Sequence, residues 1–148
     1  MTERYNITVV GLGYVGMSLA TLLARQHRIT ALDVDEERVA RVNAGRPTVA
    51  DALMAECMAN EELSLVATTS PSEAYADADF VIVATSTNYD PEENYFDTSS
   101  VEDVIEQARH NNSTATIVVK STVPVGFTEE LKKKLTEDRL LFSPEFLR

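Results

Sequence analysis

The sequence predicts a doubly wound α/β domain, a mainly parallel six-stranded sheet with helices on both faces. Three observations carry this. Short apolar runs alternate with helically spaced segments along the whole chain, the pattern of repeated strand–helix–strand crossovers. Two of those runs, Phe80-Val81-Ile82-Val83-Ala84 and Ala115-Thr116-Ile117-Val118-Val119, are almost continuously apolar, as strands covered on both sides are. A glycine cluster, Gly11, Gly13 and Gly16, separates the first run from the first helical segment. At 148 residues the chain fits one domain with a substantial core.

Taken in order, the predicted strands cover residues 5–10, 28–33, 64–68, 79–84, 115–120 and 139–142. Six such strands form two mononucleotide-binding halves, which predicts the order 3-2-1-4-5-6. Val15, Leu19, Leu22 and Leu23 share one face of the first predicted helix, and Val49, Leu53 and Cys57 share a helical stripe that points Cys57 into the core. Ser70 before Pro71 reads as a helix start, as does the cluster Thr98-Ser99-Ser100. From the latter follows a helix with Val101, Val104, Ile105 and Ala108 on its inner face. Residues 85–97 form a long connection leaving a strand's carboxyl end. That stretch reads equally as a surface loop or, because Tyr89, Tyr95 and Phe96 are costly to leave in water, as a loop packed over a ligand or another domain. Lys132-Lys133-Lys134 is flanked by Glu129, Glu130, Glu137 and Asp138, and is a solvated helix face.

The glycine cluster has a physical job. Gly11 permits the tight turn out of the strand, Gly13 lets the backbone approach a pyrophosphate, and Gly16 lets the helix pack closely. The helix that follows aims unpaired N–H groups and a partial positive charge at the phosphates. Asp33 comes 17 residues after Gly16, at the end of the second run, placed to accept hydrogen bonds from an adenosine ribose. This is the Rossmann arrangement, and it predicts a dinucleotide site; the plainer alternative is a tight turn in some other doubly wound protein. The predicted cofactor is NAD, since a carboxylate repels the 2′-phosphate of NADP and the next cation, Arg38, lies five residues on.

Composition narrows the function classes. A net charge of −11 argues against nucleic acid, whose binding needs Lys and Arg. No apolar run approaches the ~20 residues of a membrane span, and Met1 to Tyr5 contain no signal-peptide core. A single cysteine, Cys57, suits a reducing cytoplasm and forms no internal disulfide. No cluster suggests a metal. His27 and His110 each follow a predicted helix's last turn, where imidazole meets the helix dipole, so both read as surface caps rather than catalytic bases.

Four segments resemble the nucleotide-sugar dehydrogenases, the UDP-glucose/GDP-mannose dehydrogenase family. They are Gly11-Leu12-Gly13-Tyr14-Val15-Gly16; Thr85-Ser86-Thr87-Asn88-Tyr89 with Asn94-Tyr95-Phe96-Asp97; Lys120-Ser121-Thr122-Val123-Pro124-Val125-Gly126; and Ser143-Pro144-Glu145-Phe146-Leu147-Arg148. The resemblance implies an enzyme that oxidises the C6 alcohol of a nucleotide sugar to a carboxylate in two NAD-dependent steps. It implies that residues 1–148 are the NAD-binding domain of a homodimeric parent. A central helix and a second domain would supply the cysteine nucleophile, a lysine and an asparagine. The chain alone is then expected to bind cofactor without turning over. By position, the resemblance makes Gly11, Gly13, Tyr14, Val15, Gly16, Asp33, Arg38, Thr87 and Thr122 cofactor contacts. It makes Thr122 and Glu145 the pair that activates water for thioester hydrolysis, and Glu145, Phe146, Leu147 and Arg148 substrate contacts. From spacing alone, Thr122 reads equally as a helix-start signal and Glu145 as a surface acid. The Asn-Tyr and Asn-Tyr-Phe-Asp pairs favour UDP-glucose, oxidised to UDP-glucuronate, over GDP-mannose or UDP-N-acetylmannosamine. A stand-alone dinucleotide-binding module is the other class. Ser86 stands where the family pattern has proline, which implies a less rigid loop.

Overall fold

A computed structural model of the chain describes residues 3–93, 95–135 and 139–143. The first strand, β1 (Asn6–Val10), runs through the glycine turn into α1 (Tyr14–Leu23), and the chain then alternates as β2 (Arg28–Leu32), α2 (Glu36–Asn43), α3 (Ala52–Asn60), β3 (Leu65–Thr68), α4 (Pro71–Tyr75) and β4 (Phe80–Val83). An inserted pair follows, β5 (Asn88–Asp90) and β6 (Tyr95–Asp97), and then α5 (Ser99–Asn111), β7 (Thr116–Val119), α6 (Phe127–Leu135) and β8 (Leu140–Phe142). The six main strands form one sheet in the order β3-β2-β1-β4-β7-β8 with every pairing parallel. In sequence order of these six strands that is 3-2-1-4-5-6, as predicted.

Alternation along the strands divides the core. Val81 and Val83 of β4 pack with Val101, Val104, Ile105 and Ala108 of α5 on one face. Ile7 and Val9 of β1 and Ile82 of β4 pack with Ala20 and Ala24 of the α1 segment on the other. The predicted inner face of α5 is buried in full.

Three expectations are corrected. On α1 the sheet-facing line is Gly16, Met17, Ala20 and Thr21, while Leu22 is 60% exposed and Leu19 and Leu23 are only partly buried. Gly16 and Ala20 lie where the helix starts hard against the turn and runs close to the sheet, and Met17 fills the core beside Leu12 and Ala31. On α3 the stripe of Val49, Leu53 and Cys57 does not form. Asp51 caps the helix by accepting from Met54 N–H, which sets its phase so that Met54 and Met58 face the core; Leu53 is 79% exposed and Cys57 half-buried. Partial burial still pushes the Cys57 thiol pKa up. Finally, the long 85–97 connection carries an antiparallel hairpin, with Asn88 opposite Asp97 and Tyr89 opposite Phe96. The side chains of Tyr89, Tyr95 and Phe96 lie outside what is described.

Surface expectations fare better. Ser70 caps α4, accepting from Glu73 N–H. Lys132 pairs with Glu129 at 3.7 Å. His110 is exposed in the last turn of α5, but His27 is half-buried, its Nδ1 accepting the Tyr5 N–H rather than capping α1. Lys134, Glu137 and Asp138 fall outside the described side chains.

One polar side chain joins three elements at the sheet's amino end. The Asn112 amide donates to the carbonyls of Tyr75 and Ala78 at 2.7 and 2.9 Å, and its oxygen accepts from the Thr114 and Ala115 N–H groups at 2.9 Å each. Asn112→Ala is therefore expected to lower unfolding free energy by about 2–3 kcal/mol in urea titration, the sum of several net hydrogen bonds. A loss under about 0.5 kcal/mol would show that these bonds are replaced by water at no cost.

Candidate functional site

The sheet's strand order reverses between β1 and β4, and there the carboxyl ends of the strands open a crevice, as such sheets require. It has two lobes that share Gly13, Ala84, Thr85 and Ser86 as a dividing ridge. The larger, about 410 Å³, lies between the ends of β1 and β2 and the start of α5. The smaller, about 290 Å³, reaches past Tyr14 and Val15 to Thr87 and Thr122.

The ridge is fixed by close contact. Gly11 has φ +95, and its N–H donates to the Leu32 carbonyl at 2.8 Å. A Cβ on Gly16 would lie 1.6 Å from the Gly11 carbonyl oxygen, so the helix can begin this close to the turn only with glycine there. A Cβ on Gly13 would meet nothing within 4 Å: that residue faces open crevice. Gly13 also opens α1, so the helix's first N–H groups and its positive end face the same space.

Asp33 forms the floor of the larger lobe and is 8% exposed. Its Oδ2 accepts from Leu12 N–H at 2.7 Å and its Oδ1 from Asp35 N–H at 2.9 Å. These bonds satisfy a buried carboxylate, and Oδ1 keeps further acceptor capacity. Arg38 reaches Asp33 at 3.4 Å and Asp35 at 3.8 Å, so the nearest cation is engaged by two acids. Asp35 in turn caps α2. Beside them Val34, 96% exposed, offers an apolar rim.

The smaller lobe is tied together by hydroxyls. Thr87 Oγ1 donates to the Thr122 carbonyl at 2.6 Å, which brings the two predicted threonines together across the ends of β4 and β7. Ser121 Oγ donates to the Thr85 carbonyl at 2.7 Å, and Ser100 Oγ to the Ser86 carbonyl at 2.7 Å. The loop with Ser86 is thus hydrogen-bonded from both sides. Lys120 Nζ meets Ser143 Oγ at 3.0 Å, joining the ends of β7 and β8. Glu145, Phe146, Leu147 and Arg148 lie outside the described residues, as does the pairing of Thr122 with Glu145.

Sequence reasoning missed the residues that arrive from elsewhere. Tyr14, in the expected motif, donates its hydroxyl to Asp51 at 3.0 Å, and Thr48 donates to the Leu12 carbonyl at 2.6 Å. Asp51 is held below its ordinary carboxyl pKa by Met54 N–H and then by Tyr14, and the Tyr14 phenol is raised by Asp51. No spacing marks Thr48, because it acts on a peptide 36 residues away. Among the described residues no group of His, Cys, Asp and Glu could hold a metal ion, and no helix is long and apolar enough to cross a membrane.

Residues 5–148 match the model of the UDP-glucose/GDP-mannose dehydrogenase family's NAD binding domain. Over 142 residues the chain is 44% identical to a UDP-glucose 6-dehydrogenase of Streptococcus pneumoniae, covering 96% of this chain and 36% of that protein. Over 144 residues it is 38% identical to a UDP-glucose 6-dehydrogenase of Campylobacter jejuni, covering 96% and 37%. A crystal structure of a GDP-mannose dehydrogenase from Pseudomonas aeruginosa superposes with a TM-score of 0.81 at 26% identity, over 96% of this chain and 36% of that one. The chain therefore spans little more than a third of each of these three relatives.

The two glycines are expected to separate experimentally. Gly16→Ala should abolish a cooperative thermal melt, whereas Gly13→Ala should melt within about 1 kcal/mol of the unaltered chain. Gly13→Ala should nevertheless weaken NAD binding about tenfold, because its Cβ enters the phosphate side of the crevice. Unchanged NAD affinity in calorimetry would place the ligand elsewhere.

Proposed function

The chain belongs to the UDP-glucose/GDP-mannose dehydrogenase family, as that family's NAD-binding domain, and from that premise we propose that it is the cofactor half of a UDP-glucose 6-dehydrogenase. The observation that carries the proposal is the pair of lobes meeting at Gly13, with a buried carboxylate at the end of one and two linked threonines at the end of the other. An extended molecule with a central diphosphate fits that outline. The bare backbone at Gly13 and the start of α1 supply the donors for its phosphates.

Each residue then has a task. Asp33 accepts from the adenosine ribose hydroxyls, and Arg38, held between Asp33 and Asp35, closes the same lobe. Gly11 and Gly16 set the turn, while Tyr14 and Val15 wall the second lobe. Thr87 and Thr122 position the nicotinamide end. Bound NAD supplies the hydride acceptor there. In the hydrolytic step Thr122 and Glu145 orient a water and take its proton, a role assigned from the sequence motif. Glu145, Phe146, Leu147 and Arg148 contact the sugar nucleotide.

The remaining parts of the reading concern the whole enzyme. The nucleophile and the rest of the sugar pocket lie in a central helix and a second domain outside residues 1–148. The parent is a cytoplasmic homodimer, and this chain alone binds NAD without turnover. UDP-glucose is preferred over GDP-mannose and UDP-N-acetylmannosamine because the two relatives named above, at 44% and 38% identity, are UDP-glucose enzymes.

Saturating NAD is expected to raise the melting temperature of the chain, with about 2.7 kcal/mol of added stability at 100 times Kd, and NADP to raise it far less. Asp33→Ala should shrink the difference. Equal shifts from both cofactors in the unaltered chain would refute the role given to Asp33. For the sugar, the full-length enzyme assayed against the three nucleotide sugars should show its highest kcat/KM with UDP-glucose, and residues 1–148 alone should form no NADH. A preference for another sugar would move the protein elsewhere in its family, and turnover by the chain alone would end the division of labour proposed here.

A further inference from the structure

Leu12 is held on both sides by side chains from outside its loop. Its N–H donates to Asp33 Oδ2 at 2.7 Å, and its carbonyl accepts from Thr48 Oγ1 at 2.6 Å. The two bonds act on different peptide planes. The Asp33 bond fixes the Gly11–Leu12 plane; the Thr48 bond fixes the Leu12–Gly13 plane. In a trans peptide the carbonyl and the following N–H point in opposite directions. Thr48 lines neither lobe of the crevice, and Gly13 lines both. A bond that draws the Leu12 carbonyl toward Thr48 therefore turns the Gly13 N–H toward the crevice.

Thr48 is itself anchored. Residues 46–51 form a strap between α2 and α3. Arg41 Nε donates to the Pro47 carbonyl at 3.1 Å, and the Arg46 N–H donates to the Arg41 carbonyl at 2.9 Å. At the strap's far end Asp51 accepts from Met54 N–H at 2.9 Å and from the Tyr14 hydroxyl at 3.0 Å. The strap thus meets the glycine loop twice, at Leu12 and at Tyr14, on either side of Gly13.

We propose that Thr48 is a positioning residue for diphosphate binding: its hydroxyl locks the Leu12–Gly13 peptide with the N–H presented to the phosphates. Thr48 touches no cofactor atom in this account. Without its hydroxyl the Leu12–Gly13 peptide loses the bond that fixes its plane, and a rotation that turns the carbonyl toward the crevice sets an oxygen lone pair against an anion. The inference rests on the reading of the crevice as an NAD site, and it is specific to the phosphate part of the ligand.

The test compares Thr48→Val, which keeps shape and removes the hydroxyl, with Thr48→Ser, which keeps the hydroxyl. Calorimetry on the 148-residue chain would measure NAD, ADP and adenosine. Thr48→Val should raise Kd for NAD and ADP about three- to tenfold, the loss of one oriented hydrogen bond, and leave adenosine within about twofold. Thr48→Ser should restore NAD and ADP binding. A general loosening of the fold would weaken all three ligands together, so equal losses for ADP and adenosine overturn the inference, as does a serine variant as weak as valine or a valine variant with no loss. An unaltered chain that binds neither NAD nor ADP overturns the cofactor reading first, and this inference with it.

Discussion

Everything in the crevice depends on how closely α1 starts behind β1. At Gly16 the helix lies so near the turn that the space for a Cβ is already taken by the Gly11 carbonyl. At Gly11 a Cβ would lie 2.8 Å from the Ala84 carbonyl oxygen on the neighbouring strand's exit, so the turn is also pressed against the start of the second half of the domain. This crowding brings the first N–H groups of the helix to the mouth of the sheet at the point where the strand order reverses. It also explains the inward face of α1. A helix held at this distance packs Gly16, Ala20 and Ala24 against the sheet, and the larger leucines slide to its flanks.

The same constraint lets an acidic protein hold an anion. With a net charge of −11, no field of lysines draws phosphates in. Backbone dipoles and the helix end do so locally, over a few ångströms where bulk charge is screened. The acids near the crevice are spent on structure and selection. Asp33 holds the glycine loop and lines the larger lobe, Asp35 caps α2, and both pair with Arg38. On the proposed reading, a 2′-phosphate there would meet a nearly buried carboxylate and an arginine already engaged.

The sequence made the repeating parts legible. Strand runs, their order and the inner face of α5 follow from periodicity, because burial on a sheet or helix face repeats every two or 3.6 residues. The turn at Gly11 and Gly16 and the place of Asp33 at the crevice were legible because backbone geometry sets them at fixed offsets. The phase of α3 was not: behind the Asp51 cap, Met54 and Met58 rather than Leu53 and Cys57 lie at the core. The hairpin inside 85–97 was not, because two three-residue strands give too short a pattern to separate from a loop. Thr48 and Asn112 were invisible for a different reason. Each acts through hydrogen bonds to groups chosen by tertiary approach, and local sequence carries no trace of that.

The two lobes are also built from different materials. The floor of the larger is framed by steric contact at Gly11 and a nearly buried carboxylate at Asp33, so displacing that floor means a backbone clash or an unpaired buried charge, each costing several kcal/mol. The smaller is framed by exchangeable bonds: Thr87 to Thr122, Ser121 to Thr85 and Lys120 to Ser143. Such bonds contribute about 0.5–1.5 kcal/mol each, and they can be remade when a side chain changes. The end of the crevice at Asp33 therefore sits in the part of the domain that tolerates least, and the end at Thr87 and Thr122 sits in the part that can be retuned. A family whose members carry the names of different nucleotide sugars on one superposable NAD domain is what that asymmetry permits.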